Sequence, residues 1–186
     1  KMTLNEPNIN RMSRIEAEIT KIGLNCFLTT KISFANMVGD IVSFSGGNPD
    51  KVLAAIGSDS RIGSKYIGYG YGYGGPCFPR DNRALAIYAK DIGVNALISE
   101  ASDKSNEQHL DYQVQLFKQS NSIDEPVEFD YVSYKPQSTM LVESQQLLFA
   151  KKLTDEGYTV ILNERESVIE QVKEMYGNIF KYRRRD

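Results

Sequence analysis

Residues 8–44 read NINRMSRIEAEITKIGLNCFLTTKISFANMVGDIVSF, and the fold follows from the spacing of their apolar side chains. Met12, Ile15, Ile19, Ile22 and Cys26 step by three and four, which predicts one buried stripe of an α-helix, and Met37, Ile41 and Phe44 continue it. About 35 helical residues at ~1.5 Å rise span roughly 50 Å, longer than an ordinary globular helix. A rod of that length packs against another chain or bridges domains. Gly46-Gly47-Asn48-Pro49 stops it and starts the next element.

Downstream, Pro49-Asp50 opens a short helix, Lys51 to Ile56, closed by Gly57. Residues 58–76 carry no periodicity, and Gly68-Tyr69-Gly70-Tyr71-Gly72-Tyr73-Gly74-Gly75 predicts an ordered, irregular loop. Ala84 to Ile92 and Ala96 to Phe117 are helical by spacing, so residues 1–118 are expected to form one mostly helical domain. The polar stretch 119–126 (QSNSIDEP) reads as a linker. Beyond it the period changes. Val127 to Tyr134 predicts a strand, Val142 to Asp155 a helix capped by Gly157, Tyr158 to Leu162 a second strand, and Ser167 to Tyr176 a helix followed by Gly177. Residues 127–186 are thus a β-α-β-α unit of a parallel sheet, with Lys181-Tyr182-Arg183-Arg184-Arg185 as a solvated end. The fold class is α+β: a mostly helical domain built on one long helix, then a short, incomplete Rossmann-like α/β domain.

Composition narrows the function. Over 186 residues, 41% hydrophobic and 25% charged residues fit a folded globular chain rather than a disordered one. A net charge of −2 lends no electrostatic support to a nucleic-acid partner. No apolar run of membrane-spanning length and no signal-peptide pattern appears, so neither a membrane nor secretion is supported. Cys26 and Cys77 stand far apart and His109 is the one histidine, so no usual zinc ligand set can be assembled and no metal is expected. A reducing, cytoplasmic setting fits, where Cys77 stays a free thiol. The chain opens at Lys1 and reads as a piece of something longer.

Gly70, Gly72 and Gly75 spell G-x-G-x-x-G, but a dinucleotide loop needs a strand before it and a helix directly after it. Here Pro76-Cys77-Phe78-Pro79 follows, so the glycines are expected to press against a ligand or another chain. Pro79 favours a helix starting at Phe78 or Pro79, which places the Cys77 sulfur at a positive helix end, where a thiol becomes a better nucleophile. Asp81 follows within a turn, in reach to act as a base or orient a water. On the long helix Arg14, Glu18, Lys21 and Asn25 share a face, and Lys21 with Asn25 at i and i+4 offers an ammonium and an amide to an oxyanion. By residue type alone, Cys77 equally suits a small buried position and Lys21 a solvated face. Cys26 is expected in the core and His109 on the surface.

Four segments, in this order, carry a resemblance: Ala17-Glu18-Ile19-Thr20-Lys21 leading to Asn25, Asp59-Ser60-Arg61-Ile62-Gly63, Gly74-Gly75-Pro76-Cys77-Phe78-Pro79-Arg80-Asp81, and Ser133-Tyr134-Lys135. Together they resemble the UDP-glucose dehydrogenase family over Asn5 to Leu162, and the G-G-x-C-F-x-K/R-D block is the most specific of them. The family oxidises the C6 hydroxyl of a nucleotide sugar twice with NAD, ending in a carboxylate such as UDP-glucuronate. The resemblance implies that Cys77 is the nucleophile forming a thiohemiacetal and then a thioester. It implies that Lys21 and Asn25 stabilise the C6 oxygen and that Asp81 orients the hydrolytic water. It further implies that the loop from Tyr66 to Gly75, with Tyr73 and Gly74, wraps the sugar and pyrophosphate, and that Phe78 and Arg80 border the nucleotide sugar. Lys135 resembles the strand-end lysine that contacts substrate. Arg61 resembles an arginine reaching a neighbouring subunit's ligand, so a homodimer along the long helix is expected.

The departures are specific. Nothing here supplies the N-terminal Rossmann domain, so the resemblance implies NAD bound mainly by a domain outside this chain. Tyr131 stands where a glycine is usual, Val142 where an arginine is usual, and Leu162-Asn163-Glu164 lacks the usual Asp-Pro, so the resemblance leaves uridine recognition by the second domain open. The competing reading is a non-catalytic nucleotide-sugar-binding or dimerisation module. Joint retention of Lys21, Asn25, Cys77 and Asp81 favours the enzyme.

Overall fold

The computed structural model describes residues 8–185. The predicted first domain begins at Lys1 and the resemblance at Asn5, so both starts lie outside the described residues. Helix α1 spans Arg14–Phe44. It begins later than the apolar spacing predicts because Ser13 closes its first turn reciprocally: the Ser13 hydroxyl accepts from the Glu16 N–H at 3.4 Å and the Glu16 carboxylate accepts from the Ser13 N–H at 2.6 Å. Helices α2 (Pro49–Gly57), α3 (Phe78–Asp91) and α4 (Leu97–Ser120) follow, and α1 packs along all three. Because α4 runs through Ser120, the connection to the α/β part starts at Asn121, two residues later than predicted.

The face that α1 buries is not the predicted one. Ile15, Ile19, Met37, Ile41 and Phe44 are exposed, and only Cys26 of the stripe is inside. The buried face is small and polar: Asn25, Thr29, Ser33, Ala35, Asn36, Gly39 and Asp40. Each polar group there is paired with a neighbour, as burial without a partner would be costly. Thr29 Oγ1 donates to Asn82 Oδ1 at 3.1 Å, Ser33 Oγ to the Ser102 carbonyl at 2.9 Å, and Asn36 Oδ1 accepts from the Gly70 N–H at 3.1 Å.

The α/β part holds β1 (Val127–Phe129), α5 (Gln145–Asp155), β2 (Val160–Glu164), α6 (Glu166–Tyr176) and β3 (Lys181–Arg184). The sheet is parallel in the order β1-β2-β3, with Val127 opposite Val160 and Leu162 opposite Tyr182. Its main core joins Phe129, Leu147, Leu153, Val160, Leu162, Val168 and Val172 to Leu110 and Val114 of α4. Strand β1 is far shorter than predicted because the chain leaves the sheet after Phe129. The Val132 N–H donates to the Glu164 carboxylate at 2.8 Å and its carbonyl accepts from Ser144 Oγ at 2.6 Å. Residues 181–184, expected as a solvated end, form the third strand instead. Their backbone pairs with β2 while Arg183 reaches Glu128 at 2.9 Å, so side chains that read as solvated ride on an edge strand.

Candidate active site

Cys77 is the residue immediately before α3, with Pro79 in the first turn, and its thiol is free and exposed. The first helical bond runs from the Asp81 N–H to the Cys77 carbonyl at 2.8 Å. That turn directs the Asp81 side chain into the interior, where the residue is 4% exposed, against α1. Asn25 Nδ2 donates to Asp81 Oδ2 at 2.6 Å and Lys21 Nζ to the same oxygen at 3.2 Å. Arg80 donates Nε and Nη2 to Asp81 Oδ1 at 3.0 and 2.8 Å, and also lies, with weaker effect, against the Cys77 thiol. Burial works to raise the Asp81 carboxyl, yet the hydrogen bonds from Arg80, Asn25 and Lys21 outweigh it and hold the group below its ordinary value. Cys26 is in the core as expected, its thiol against the Asp81 carbonyl at 3.6 Å, and burial pushes that thiol up, away from the reactive thiolate.

A cavity of about 260 Å³ opens beside Cys77, lined by Ile32, Tyr73, Gly74, Pro76, Phe78, Tyr134 and Lys135. The geometry therefore brings together Cys77, Tyr73, Gly74, Phe78 and Lys135, which are separated by up to 62 positions in the chain. Tyr66 adjoins them, its ring edge-on to Phe78 at 6.5 Å. Arg61 does not join them. Its guanidinium pairs with Asp59 of the same turn at 2.6 Å, and its side chain is 86% exposed.

The glycine loop presses against this chain itself, where a ligand or another chain was expected. A Cβ on Gly74 would stand 2.1 Å from the Glu143 carbonyl oxygen, and Gly75, at φ +80°, lies beneath the Tyr134 ring. The loop is also tied from behind by His109, which is 2% exposed rather than on the surface. His109 Nδ1 faces Asp40 Oδ2 at 2.8 Å, Nε2 faces the Gly70 carbonyl at 2.6 Å, and Tyr69 donates to Asp40 Oδ1 at 2.8 Å. The polar neighbours of His109 hid this. The available signal was Ser102, Asn106, His109 and Gln113, spaced four, three and four on one face of α4.

Nothing in this arrangement fits NAD. The glycines follow no strand, Gly74 and Gly75 are filled by residues 134–143, and β1 runs out into Asp130 and Tyr131 rather than a glycine turn. Among the described residues no three His, Cys, Asp or Glu side chains gather to hold a metal ion, and no helix is long and apolar enough to cross a membrane.

Residues 15–108, half of the chain, match the sequence profile of the UDP-glucose/GDP-mannose dehydrogenase family, central domain. The chain is 32% identical over 156 residues to UDP-glucose 6-dehydrogenase AglM of Haloferax volcanii, covering 83% of this chain and 36% of that protein. It is 44% identical over 91 residues to UDP-glucose 6-dehydrogenase TuaD of Bacillus subtilis, covering 49% of this chain and 20% of that one. In three dimensions it resembles a UDP-glucose dehydrogenase from Pyrobaculum islandicum with a TM-score of 0.81 and 32% identity, over 94% of this chain and 40% of that one. The chain thus spans 20–40% of the length of these relatives.

Proposed function

Because the chain belongs to the UDP-glucose/GDP-mannose dehydrogenase family, we propose that it carries the nucleophile and the substrate-binding portion of an enzyme that oxidises C6 of UDP-glucose to the carboxylate. The observation that carries this is a free, exposed thiol at a helix N-terminus, opening on a cavity with Lys135, one turn from a carboxylate held by Lys21 and Asn25. Each part has a task. The Cys77 sulfur adds to the C6 aldehyde carbon as the C=O π bond opens, and the oxygen takes up a proton to give a thiohemiacetal. Lys21, whose side chain is 64% exposed, can swing its ammonium from Asp81 toward that oxygen while Asn25 keeps the carboxylate in place. At the thioester stage a water adds to the carbonyl carbon, the C–S bond breaks, and the thiol recovers its proton. Asp81 orients that water.

C6 gives up a hydride twice to a nicotinamide acceptor that the described residues do not cradle: once as the alcohol, which yields the aldehyde before Cys77 adds, and once as the thiohemiacetal, which yields the thioester, with a proton leaving the oxygen each time. The chain is accordingly read as a helical domain and an α/β domain that supply the sugar side of a larger site. Tyr73, Gly74, Phe78, Arg80 and Lys135 form its wall, with Tyr66 beside them. Arg61 serves the site of a second copy packed along α1; in its own chain it is exposed, pairs with Asp59 and is not among the residues that line the cavity. In the intact enzyme, Cys77→Ser is expected to abolish conversion to the acid, followed as NADH formed with UDP-glucose. Turnover equal to the unaltered enzyme would remove Cys77 from its role.

A further inference from the structure

Arg83 lies on α3, outside every role given above, and each of its three guanidinium nitrogens donates to a carboxylate. Nη1 and Nη2 grip Glu143 Oε1 and Oε2 in a parallel fork at 2.7 and 2.9 Å, while Nε donates to Asp103 Oδ2 on α4 at 3.0 Å. The other Asp103 oxygen accepts from the Tyr73 hydroxyl at 3.0 Å, so Arg83 is linked to one wall of the Cys77 cavity. Through Glu143 it is linked to the opposite wall. Glu143 holds a left-handed φ of +46° and its carbonyl rests on Gly74. Next to it the Val142 carbonyl accepts from the Gly75 N–H at 3.0 Å, and the Met140 carbonyl from the Tyr134 N–H at 3.0 Å. Tyr134 and Lys135 are that wall, with Lys135 Nζ 5.2 Å from the Tyr134 ring centre.

The Arg83 and Glu143 side chains are 47% and 38% exposed, so their pairing adds little to global stability. What a bidentate fork supplies is orientation. A backbone held at positive φ without glycine persists where its surroundings fix it, and here the fork holds the Glu143 side chain while the adjoining Val142 carbonyl takes the Gly75 N–H. We propose that Arg83 and Glu143 are positioning residues, a clamp between α3 and residues 134–143 that sets Tyr134 and Lys135 against Tyr73 and Cys77. The clamp thereby sets the affinity for the nucleotide sugar. This rests on the function proposed above.

Two measurements on the whole protein test it. Glu143→Gln removes the charge and keeps the volume, and Glu143→Asp restores the charge on a shorter arm. In Glu143→Gln the Tyr134 and Gly75 amides are expected to exchange hydrogen faster while those of α1 do not change. The UDP-glucose concentration that half-protects Cys77 from iodoacetamide is expected to rise roughly fivefold, with partial recovery in Glu143→Asp. Unchanged amide exchange overturns the clamp. Faster exchange with unchanged protection overturns its role in affinity. Absence of protection in the unaltered protein overturns the nucleotide-sugar reading itself, and the exchange result then decides the clamp alone.

Discussion

Asp81 carries its charge inside the protein on the strength of three donors from two helices, and that arrangement has a pH signature. Its ordinary value is 3.8 and its folded value is lower, so the stabilisation is fully present above the ordinary value and is lost as pH falls through the folded one. Asp81→Asn removes the charge and turns one of the two acceptor oxygens into an NH2, which faces either Asn25 and Lys21 or Arg80; Lys21 and Arg80 are exposed enough to find water. The expected cost at pH 7 is therefore about 1–2 kcal/mol rather than the larger cost of a fully buried pair. Urea midpoints of the two proteins should stay apart above pH 3.8 and converge over the acid range below it, as the unaltered carboxyl takes up its proton. A gap that stays constant across that range would contradict the account. The placement of Cys77 and Asp81 at the start of a helix, and of Lys21 and Asn25 on one face of another, was legible in the sequence from a proline in the first helical turn and an i, i+4 step. His109, Arg83 and Glu143 were not, because their roles come from partners 39, 60 and 60 positions away.

Among the elements, two serine caps make a controlled comparison. Ser13 opens α1 in the open, whereas Ser144 opens α5 from the interior at 1% exposure and also bonds the Val132 carbonyl that turns the chain out of the sheet. Loss of Ser13 Oγ exposes an N–H to water, so Ser13→Ala is expected to cost about 0.5–1 kcal/mol. Loss of Ser144 Oγ strands both a helix N–H and a buried carbonyl, so Ser144→Ala is expected to cost about 2 kcal/mol or more. Denaturant midpoints at constant slope would check the difference, and equal losses would mean that water reaches the Val132 carbonyl. The helices themselves could be read from spacing to within six residues at every end, the starts of α1 and α3 being the furthest off. Strand β3 could not, because its pairing with β2 is a backbone property that Lys181-Tyr182-Arg183-Arg184 does not display. The length of β1 was overestimated for a related reason. Alternation continues past Phe129 on paper, but Glu164 captures the next free N–H of the turn.

At the scale of the whole molecule, α1 is amphipathic in the inverse sense, with its polar, small face inside and Ile19, Phe27, Phe34, Met37 and Ile41 outside. The spacing predicts those side chains as a buried stripe, and in the single chain they are exposed instead. An apolar strip running the length of a 31-residue helix is more than scattered surface hydrophobics, so we propose that it is an interface. A second copy is the simplest cover, because a two-fold axis across the rod sets the same face against itself. It would also bring Arg61, idle beside Asp59 in its own chain, within the domain of a neighbour. Sedimentation equilibrium is expected to give a mass of two chains or a multiple of two. Phe27→Asp with Ile41→Asp, which places a charge on the strip at positions 65% and 60% exposed in the single chain, is expected to give one chain with unaltered helical circular dichroism. If the unaltered protein sediments as a single chain at micromolar concentration, the strip is not a homodimer seam. If the pair of aspartates leaves the dimer intact, the two copies meet elsewhere, and Arg61 loses its proposed route to a second site.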